Sequence, residues 1–357
     1  MLTELLSQGM LSCPACRGWR DGQFVNAPLA LDEVFEARPG GVRQGLIRCT
    51  GCGVRHPILD GVAVILRDTG AWLRQQERAA MWRADLAPSL ERWLRGAWGE
   101  EEDPNWHRQM LSIYGRRLAG ARSEAERHYE VRLPLLVESR PRPLALDAGC
   151  GVGQATLALL GLGASVVAVD LDMGALRALS RLLHEGEVSL PRWRHGGGDF
   201  VTETVRLQAE VDPSRVALIA ADLLDPPLVA GSFDLALSYH LLDNVADPVK
   251  LVRQLHASLK PGGALALATP YDWSPRATPI AARLGESIRA GDSPDPADAL
   301  RALLRGELPS LAPELRMAVA HEALSLAWEL DRHERSTHVY RCHYVEALRP
   351  DEARAQG

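Results

Sequence analysis

Four cysteines near the start of the chain form two close pairs, Cys13-Pro14-Ala15-Cys16 and Cys49-Thr50-Gly51-Cys52. A C-x-x-C spacing lets both sulfurs of a pair face one ion, and two such knuckles suit four thiolates around tetrahedral Zn²⁺. Gly18, Gly51 and Gly53 supply tight turns, and residues 17–48 leave room for a β-ribbon between the knuckles. Four thiolates leave no open coordination position, so the expected metal is structural and folding of this short segment should depend on it. A redox dithiol is the alternative.

A second constellation lies in the middle of the chain. The apolar run Leu144-Ala145-Leu146 reaches Asp147, then a turn containing Gly149, Gly151 and Gly153, and a helix opens at about Ala155. The nicotinamide fingerprint places its third glycine one position later. A carboxylate at Asp147 would repel a pyrophosphate but suits a cation. S-adenosylmethionine (SAM) carries an ammonium and a sulfonium and no phosphate. The glycines let the backbone approach a nucleoside without a Cβ in the way. The next strand, Ser165–Val169, ends in Asp170, placed to accept from both ribose hydroxyls. Val216–Ala221 ends in Asp222, which could accept from an adenine amino group. Cys150, inside the loop, reads as a small buried residue, because no adjacent base marks it as a nucleophile.

The elements that must position these groups follow from patterning. Apolar strands at 144–147, 165–169, 216–221, 232–238 and 264–268 alternate with helical stretches, which predicts an α/β, doubly wound, mostly parallel sheet with ligands at the strands' carboxyl ends. The 357 residues carry a net charge of -6, so a general basic footprint for nucleic acid is absent and a nucleic-acid partner is disfavoured. No apolar run is long enough for a spanning helix, and the N-terminus lacks the basic start of a secretory signal. The expectation is a cytoplasmic protein without membrane contact. Four regions are expected: a zinc ribbon over 1–70, a helical linker or cap over 71–135, a SAM-binding core over 136–275, and a C-terminal helical region with final strands over 276–357. In the linker, Trp72, Leu73, Ala79, Ala80, Trp82 and Leu86 recur at helical spacing, with Pro88 and Pro104 as breaks. Tyr129 and Arg132 lie on the helix entering the core, within reach of a ligand. The last helical stretch is placed at Pro296–Leu330.

Residues 5–68 resemble the small zinc-ribbon family that includes the activator subunit of tRNA and protein methyltransferases, on Cys13-Pro14-x-Cys16, Cys49-x-x-Cys52-Gly53 and Pro57-Ile58-x-Asp60-Gly61-Val62. Residues 140–270 resemble the Rossmann-like SAM-dependent methyltransferases. That resemblance assigns Asp147, Gly149, Gly151 and Gly153 to the methionine end of SAM, Asp170 to the ribose and Asp222 to the adenine. The amide- and adenine-directed members carry Asn/Asp-Pro-Pro-aromatic after the fourth strand. Here the position reads Ser238-Tyr239-His240-Leu241-Leu242-Asp243-Asn244, and Asp225-Pro226-Pro227 falls after the third strand instead.

Thr269-Pro270-Tyr271-Asp272-Trp273-Ser274-Pro275, Thr278-Pro279, Asp243 and the Arg332–Val339 stretch are similar to the methyltransferase domain of ovothiol biosynthesis, which methylates an imidazole nitrogen of mercaptohistidine. Two departures stand out. Arg283-Leu284-Gly285-Glu286 replaces the family's Trp-Leu-Gly-Gly, and the cysteine segment replaces its iron-dependent synthase domain. The resemblance implies N-methylation of a small molecule or peptide, with Asp243 orienting the acceptor, His240 as base, and Tyr239 and Tyr271 beside the methyl-transfer end. An RNA or protein methyltransferase that docks substrate on the ribbon is a second reading, and a non-catalytic SAM-binding scaffold a third. Arg194-His195-Gly196-Gly197-Gly198-Asp199 is either a lid or a plain surface loop. Among the late histidines, a strand would set His338 and Cys342 on one face with Tyr340 and Tyr344 while His343 points away, which disfavours a metal there.

Overall fold

A computed structural model of the chain describes residues 1–20, 23–69, 71–72, 106–119, 122–195 and 199–351. The helical spacing expected from Leu73 to Pro104, and the glycines of the 194–199 stretch, lie outside the described residues.

The five expected strands are present: β7 (Leu144–Ala148), β8 (Ser165–Asp170), β11 (Val216–Ala220), β12 (Phe233–Tyr239) and β13 (Leu259–Thr269). They form the parallel centre of a sheet in the order β13-β12-β7-β8-β11. Helices cover both faces, so the strands read as continuous apolar runs with no alternation. Within β7, Ala145 packs with Leu159 and Leu160 of α4 (Gln154–Gly161), and Leu146 packs into the opposite cluster. Asp147 therefore shares the α4 face.

The cysteine segment does not stand apart from this sheet. β6 (Val62–Val64) pairs in parallel with β11, so β5 (Arg55–Leu59), β4 (Gly41–Cys49) and β3 (Leu29–Arg38) extend the sheet antiparallel beyond it. Val62, Ala63 and Val64 are fully buried, and alternate residues feed the two core clusters. At the other edge, β15 (Ser336–Leu348) pairs antiparallel with β13, and β14 (Ala318–His333) with β15, to make eleven strands.

The expectation of a helix over Pro296–Leu330 is corrected here. Helix occupies only Pro296–Arg305, capped by the Asp295 side chain and stopped at Gly306 with φ 77°. A left-handed residue at that position ends a helix by turning the chain away. From Ala318 the Ala- and Leu-rich sequence is a strand, because pairing with β15 overrides its helix propensity. The long stretch 183–215 holds a hairpin of β9 (Glu187–His195) and β10 (Asp199–Arg206).

Two helices roof the carboxyl end of the sheet: α2 (Trp106–Ala119) and α3 (Glu124–Glu138). The start of α3 is fixed by a capping box between Ser123 and Glu126. Further along α3, Arg132 makes a two-pronged ion pair with Glu346 of β15 at 2.8 and 2.7 Å, and the Tyr344 hydroxyl donates to the same carboxylate. No described helix is long and apolar enough to cross a membrane. Arg132→Met should leave the buried Glu346 carboxylate short of its cation and cost about 3 kcal/mol in urea unfolding. The double variant with Glu346→Gln should recover part of that loss.

Candidate active site

A cavity of about 670 Å³ opens at the carboxyl ends of β7, β8, β11 and β12, under α2 and α3. Its lining includes Asp147, Gly149, Gly151, Asp170, Asp222, Tyr239 and His240 from the sequence reading.

The glycine loop forms the floor. Gly149, Gly151 and Gly153 all have positive φ (80°, 51° and 90°), which a side chain would strain. A Cβ at Gly153 would lie 2.4 Å from Leu179, whereas one at Gly151 meets nothing within 4 Å. Gly153 is therefore closed by packing, Gly149 is crowded by Leu241 at 3.0 Å, and Gly151 leaves its space to the cavity.

The acids around the loop are anchored by neutral donors. Asp147 accepts from the Thr156 hydroxyl at 2.6 Å, and Asp170 accepts from the backbone N–H of Gly151 and Asp172, both at 2.8 Å. Burial raises both carboxyls to about 6, outweighing these hydrogen bonds, and the charge of Asp170 adds to the rise at Asp147. Asp222 accepts from the Leu224 N–H at 2.8 Å and sits at the cavity's far end.

His240 closes the opposite wall. It follows β12 in a left-handed conformation, φ 60°. Its ring lies flat on Trp328 of β14, centroids 3.5 Å apart and planes 2° apart. Its Nε2 is 3.3 Å from the Tyr129 hydroxyl and its Nδ1 is 3.8 Å from Cys342 Sγ. Burial, with Arg117 nearby, holds the imidazole well below its ordinary pKa, so it is neutral. Tyr239 stacks on Tyr129, centroids 4.5 Å apart.

Three expected site residues do not line the cavity: Gly153, which packs against Leu179, and Asp243 and Tyr271. Asp243 is 1% exposed and accepts from the Asp272 N–H at 2.9 Å. Its carbonyl accepts from the Ser274 N–H, so it ties the turn after β12 to the segment after β13. Tyr271 turns to the other face of the sheet, where its hydroxyl meets His343 Nδ1 at 2.7 Å, and His343 Nε2 meets Glu322 at 2.8 Å. The residue after a sheet-end carbonyl can point to either face, and strand register decides which. Arg132, expected within reach of a ligand, is held by Glu346 instead.

Sequence reasoning missed Arg117, Glu126 and Gln154. Arg117 of α2 bonds Glu126 of α3 at 2.8 and 2.7 Å and lies 4.9 Å above the Trp328 ring. Gln154 at the head of α4 reaches the same Glu126 oxygen at 3.1 Å, so one carboxylate joins the roof to the glycine loop. The Ser123-x-x-Glu126 spacing was the available signal for that carboxylate.

Away from the cavity, Cys13, Cys16, Cys49 and Cys52 bring their sulfurs within 4.8 Å of one another. Backbone N–H groups of Gly51 and Cys52 point at Cys49 Sγ, both at 3.4 Å. Sulfurs about 2.3 Å from a central ion fit that mutual spacing.

Residues 146–267 match the family model described as a methyltransferase domain. The chain is 31% identical over 129 residues to a ubiquinone biosynthesis O-methyltransferase of Xanthomonas campestris, covering 36% of this chain and 44% of that one. It is 28% identical over 165 residues to a malonyl-[acyl-carrier protein] O-methyltransferase of Pseudescherichia vulneris, covering 45% and 53%. The chain thus spans about half the length of these curated relatives. A solved SAM-dependent methyltransferase from Methanosarcina mazei aligns over 61% of this chain and 98% of its own, at 18% identity and a TM-score of 0.40.

Gly153→Ala should destabilise the protein by about 1–3 kcal/mol in urea unfolding, from the clash with Leu179 added to backbone strain. Gly151→Ala should cost about 1 kcal/mol, from the left-handed backbone alone. The doubly wound sheet, the cavity at its carboxyl edge and the family match together identify residues 146–267 as a methyltransferase domain.

Proposed function

We propose that the protein transfers the methyl group of SAM to a nitrogen or oxygen of a small molecule or peptide that carries a proton, with His240 as the base. The observation that carries this reading is the pairing of walls in one cavity. One wall holds buried carboxylates and an open glycine cradle, and the other holds a neutral imidazole.

The residues present fit SAM. Asp147 is buried and Asp170 half-buried, and neither makes an ion pair among the described residues, so a cationic ligand would relieve them. In this reading Asp147, Gly149, Gly151 and Gly153 receive the methionine end, Asp170 the ribose hydroxyls and Asp222 the adenine. SAM supplies an activated methyl group. The chain's own part is to align the acceptor and take its proton. Tyr239 and Tyr129 offer an aromatic wall for a planar acceptor, and Asp243 is a positioning residue that ties the turn after β12 to the segment after β13. The resemblance to the mercaptohistidine enzymes makes an imidazole nitrogen the first acceptor to try. The four cysteines are read as ligands of a structural zinc ion that locks the first knuckle to the second.

Turnover is tested by mass spectrometry with SAM and a panel of histidine derivatives, phenols, small peptides and total RNA. A +14 Da product, lost in His240→Ala, is expected. Product from RNA alone would overturn the small-acceptor reading.

SAM binding should also depend on pH. Both of its contacts favour ionised carboxylates, the cation at Asp147 and the ribose hydroxyls at Asp170, and both pKa values are raised from 3.8 to about 6 in the unliganded protein. Affinity therefore rises as pH climbs from about 5 to about 7, by up to about tenfold per unit for each proton released on binding. Calorimetry at several pH values checks this, and a flat profile counts against these acids as the ligand's partners.

For the metal, elemental analysis should find about one zinc per chain. Cys49→Ser should lose it and lower the unfolding temperature.

A further inference from the structure

We propose that Tyr129 is a second catalytic residue, passing the acceptor's proton to His240, and that Cys342 is the positioning residue that fixes the tautomer of His240. This inference rests on the methyltransferase reading of the same cavity and deepens it.

Three elements distant in sequence meet at the imidazole. Tyr129 comes from α3, Trp328 from β14 and Cys342 from β15. Tyr129 and His240 both line the cavity, and Cys342 lies behind them, fully buried. A histidine with φ 60° is strained, and such strain persists where surrounding structure enforces it. Here the flat stack on Trp328 and the backbone bond from the His240 N–H to the Ala268 carbonyl, 2.7 Å, enforce it.

The charged and titratable groups packed around the ring are few. Arg117 from α2 disfavours a second proton, Tyr129 faces Nε2 and Cys342 faces Nδ1. Burial raises both the Tyr129 hydroxyl and the Cys342 thiol above their ordinary values, so both stay neutral. A neutral imidazole carries one N–H, and the partner of one nitrogen decides which. Cys342 sulfur can accept from Nδ1–H. Nε2 is then the free base, and it accepts from the Tyr129 O–H. The tyrosine oxygen keeps a lone pair for the acceptor's N–H or O–H.

The step balances. The acceptor's nitrogen or oxygen forms a bond to the methyl carbon as the carbon–sulfur bond breaks and the sulfonium becomes a thioether. The acceptor's proton moves to the Tyr129 oxygen while the Tyr129 proton moves to His240 Nε2. The imidazolium later returns its proton to solvent.

The test has an arm that needs no acceptor. Nitrogen NMR of ¹⁵N-histidine-labelled protein, bound to S-adenosylhomocysteine, should show His240 neutral with Nδ1 protonated and Nε2 bare. Tyr129→Phe should move the Nε2 resonance downfield through loss of its hydrogen bond, and Cys342→Ala should perturb Nδ1. A proton on Nε2, or an unmoved Nε2 in Tyr129→Phe, overturns the relay. In turnover with the best acceptor of the panel, Tyr129→Phe should lower kcat by about 10- to 100-fold and leave the Kd for S-adenosylhomocysteine unchanged. Adding Tyr129→Phe to His240→Asn should cause no further loss, because the two act as one unit. Multiplying losses overturn the relay. Failure of the wild-type protein to bind S-adenosylhomocysteine would instead overturn the methyltransferase reading itself.

Discussion

Two carboxylates at the carboxyl edge of a sheet, Asp147 buried and Asp170 half-buried, set the terms for the rest of this protein. They end adjacent parallel strands, and among the described residues a hydroxyl and backbone N–H groups hold them. Neutral donors do not offset the burial of charge, which is why both carboxyls rise to about 6. A site built this way stores a preference for a cation. Gly151 leaves open space beside these acids, so the preference stays open to a ligand, and among the described residues no lysine or arginine pairs with them.

On the opposite wall a cation and an acid are paired. The charge of Arg117 acts on the imidazole, and Glu126 binds Arg117 through two nitrogens. Glu126 also holds Gln154, and Ser123 completes its shell. Burial alone would raise the Glu126 carboxyl, but Arg117 and Ser123 outweigh it and hold the pKa below the ordinary value. Arg117 is thereby neutralised as a competitor for the acids at the loop, yet its charge still reaches His240. Roof, loop and base are coupled through one carboxylate.

The parallel core was legible because strands covered on both faces must be apolar throughout, and each of them ends at an acid or a turn. β7, β8 and β11 show this plainly. β14 was not legible. It lies at the sheet's edge, its burial alternates poorly, and Ala318-Val319-Ala320-His321-Glu322-Ala323-Leu324 carries a helix former's composition. Only pairing with β15 makes it a strand. The site divides the same way. Asp147, Gly149, Gly151, Asp170 and Asp222 lie at successive strand ends along the chain, so their order in the sequence pointed to one cavity, while Gly153 packs behind it. The surroundings of His240 come from α2, α3, β14 and β15, whose convergence no local pattern announces. Asp243 and Tyr271 were read as acceptor contacts from their position after a strand, but such residues can turn to either side of the sheet.

The cysteine segment is tied to the part of this arrangement lined by Asp222. Arg17, next to Cys16, reaches the Asp225 carboxylate and the carbonyls of Pro226 and Leu228, and Arg67 binds Asp225 at 2.8 Å. The Ser12 N–H donates to the Pro227 carbonyl, and the Val229 N–H to Met10. These contacts grip the loop that begins at Asp222, whose own carbonyl accepts from the Asp225 N–H. A segment so engaged has its knuckle committed to shaping that loop. If the knuckle's sulfurs hold an ion, the ion stiffens the loop through Arg17 and the backbone around Ser12. That role follows from sheet continuity at β6 and β11 and requires no macromolecular substrate.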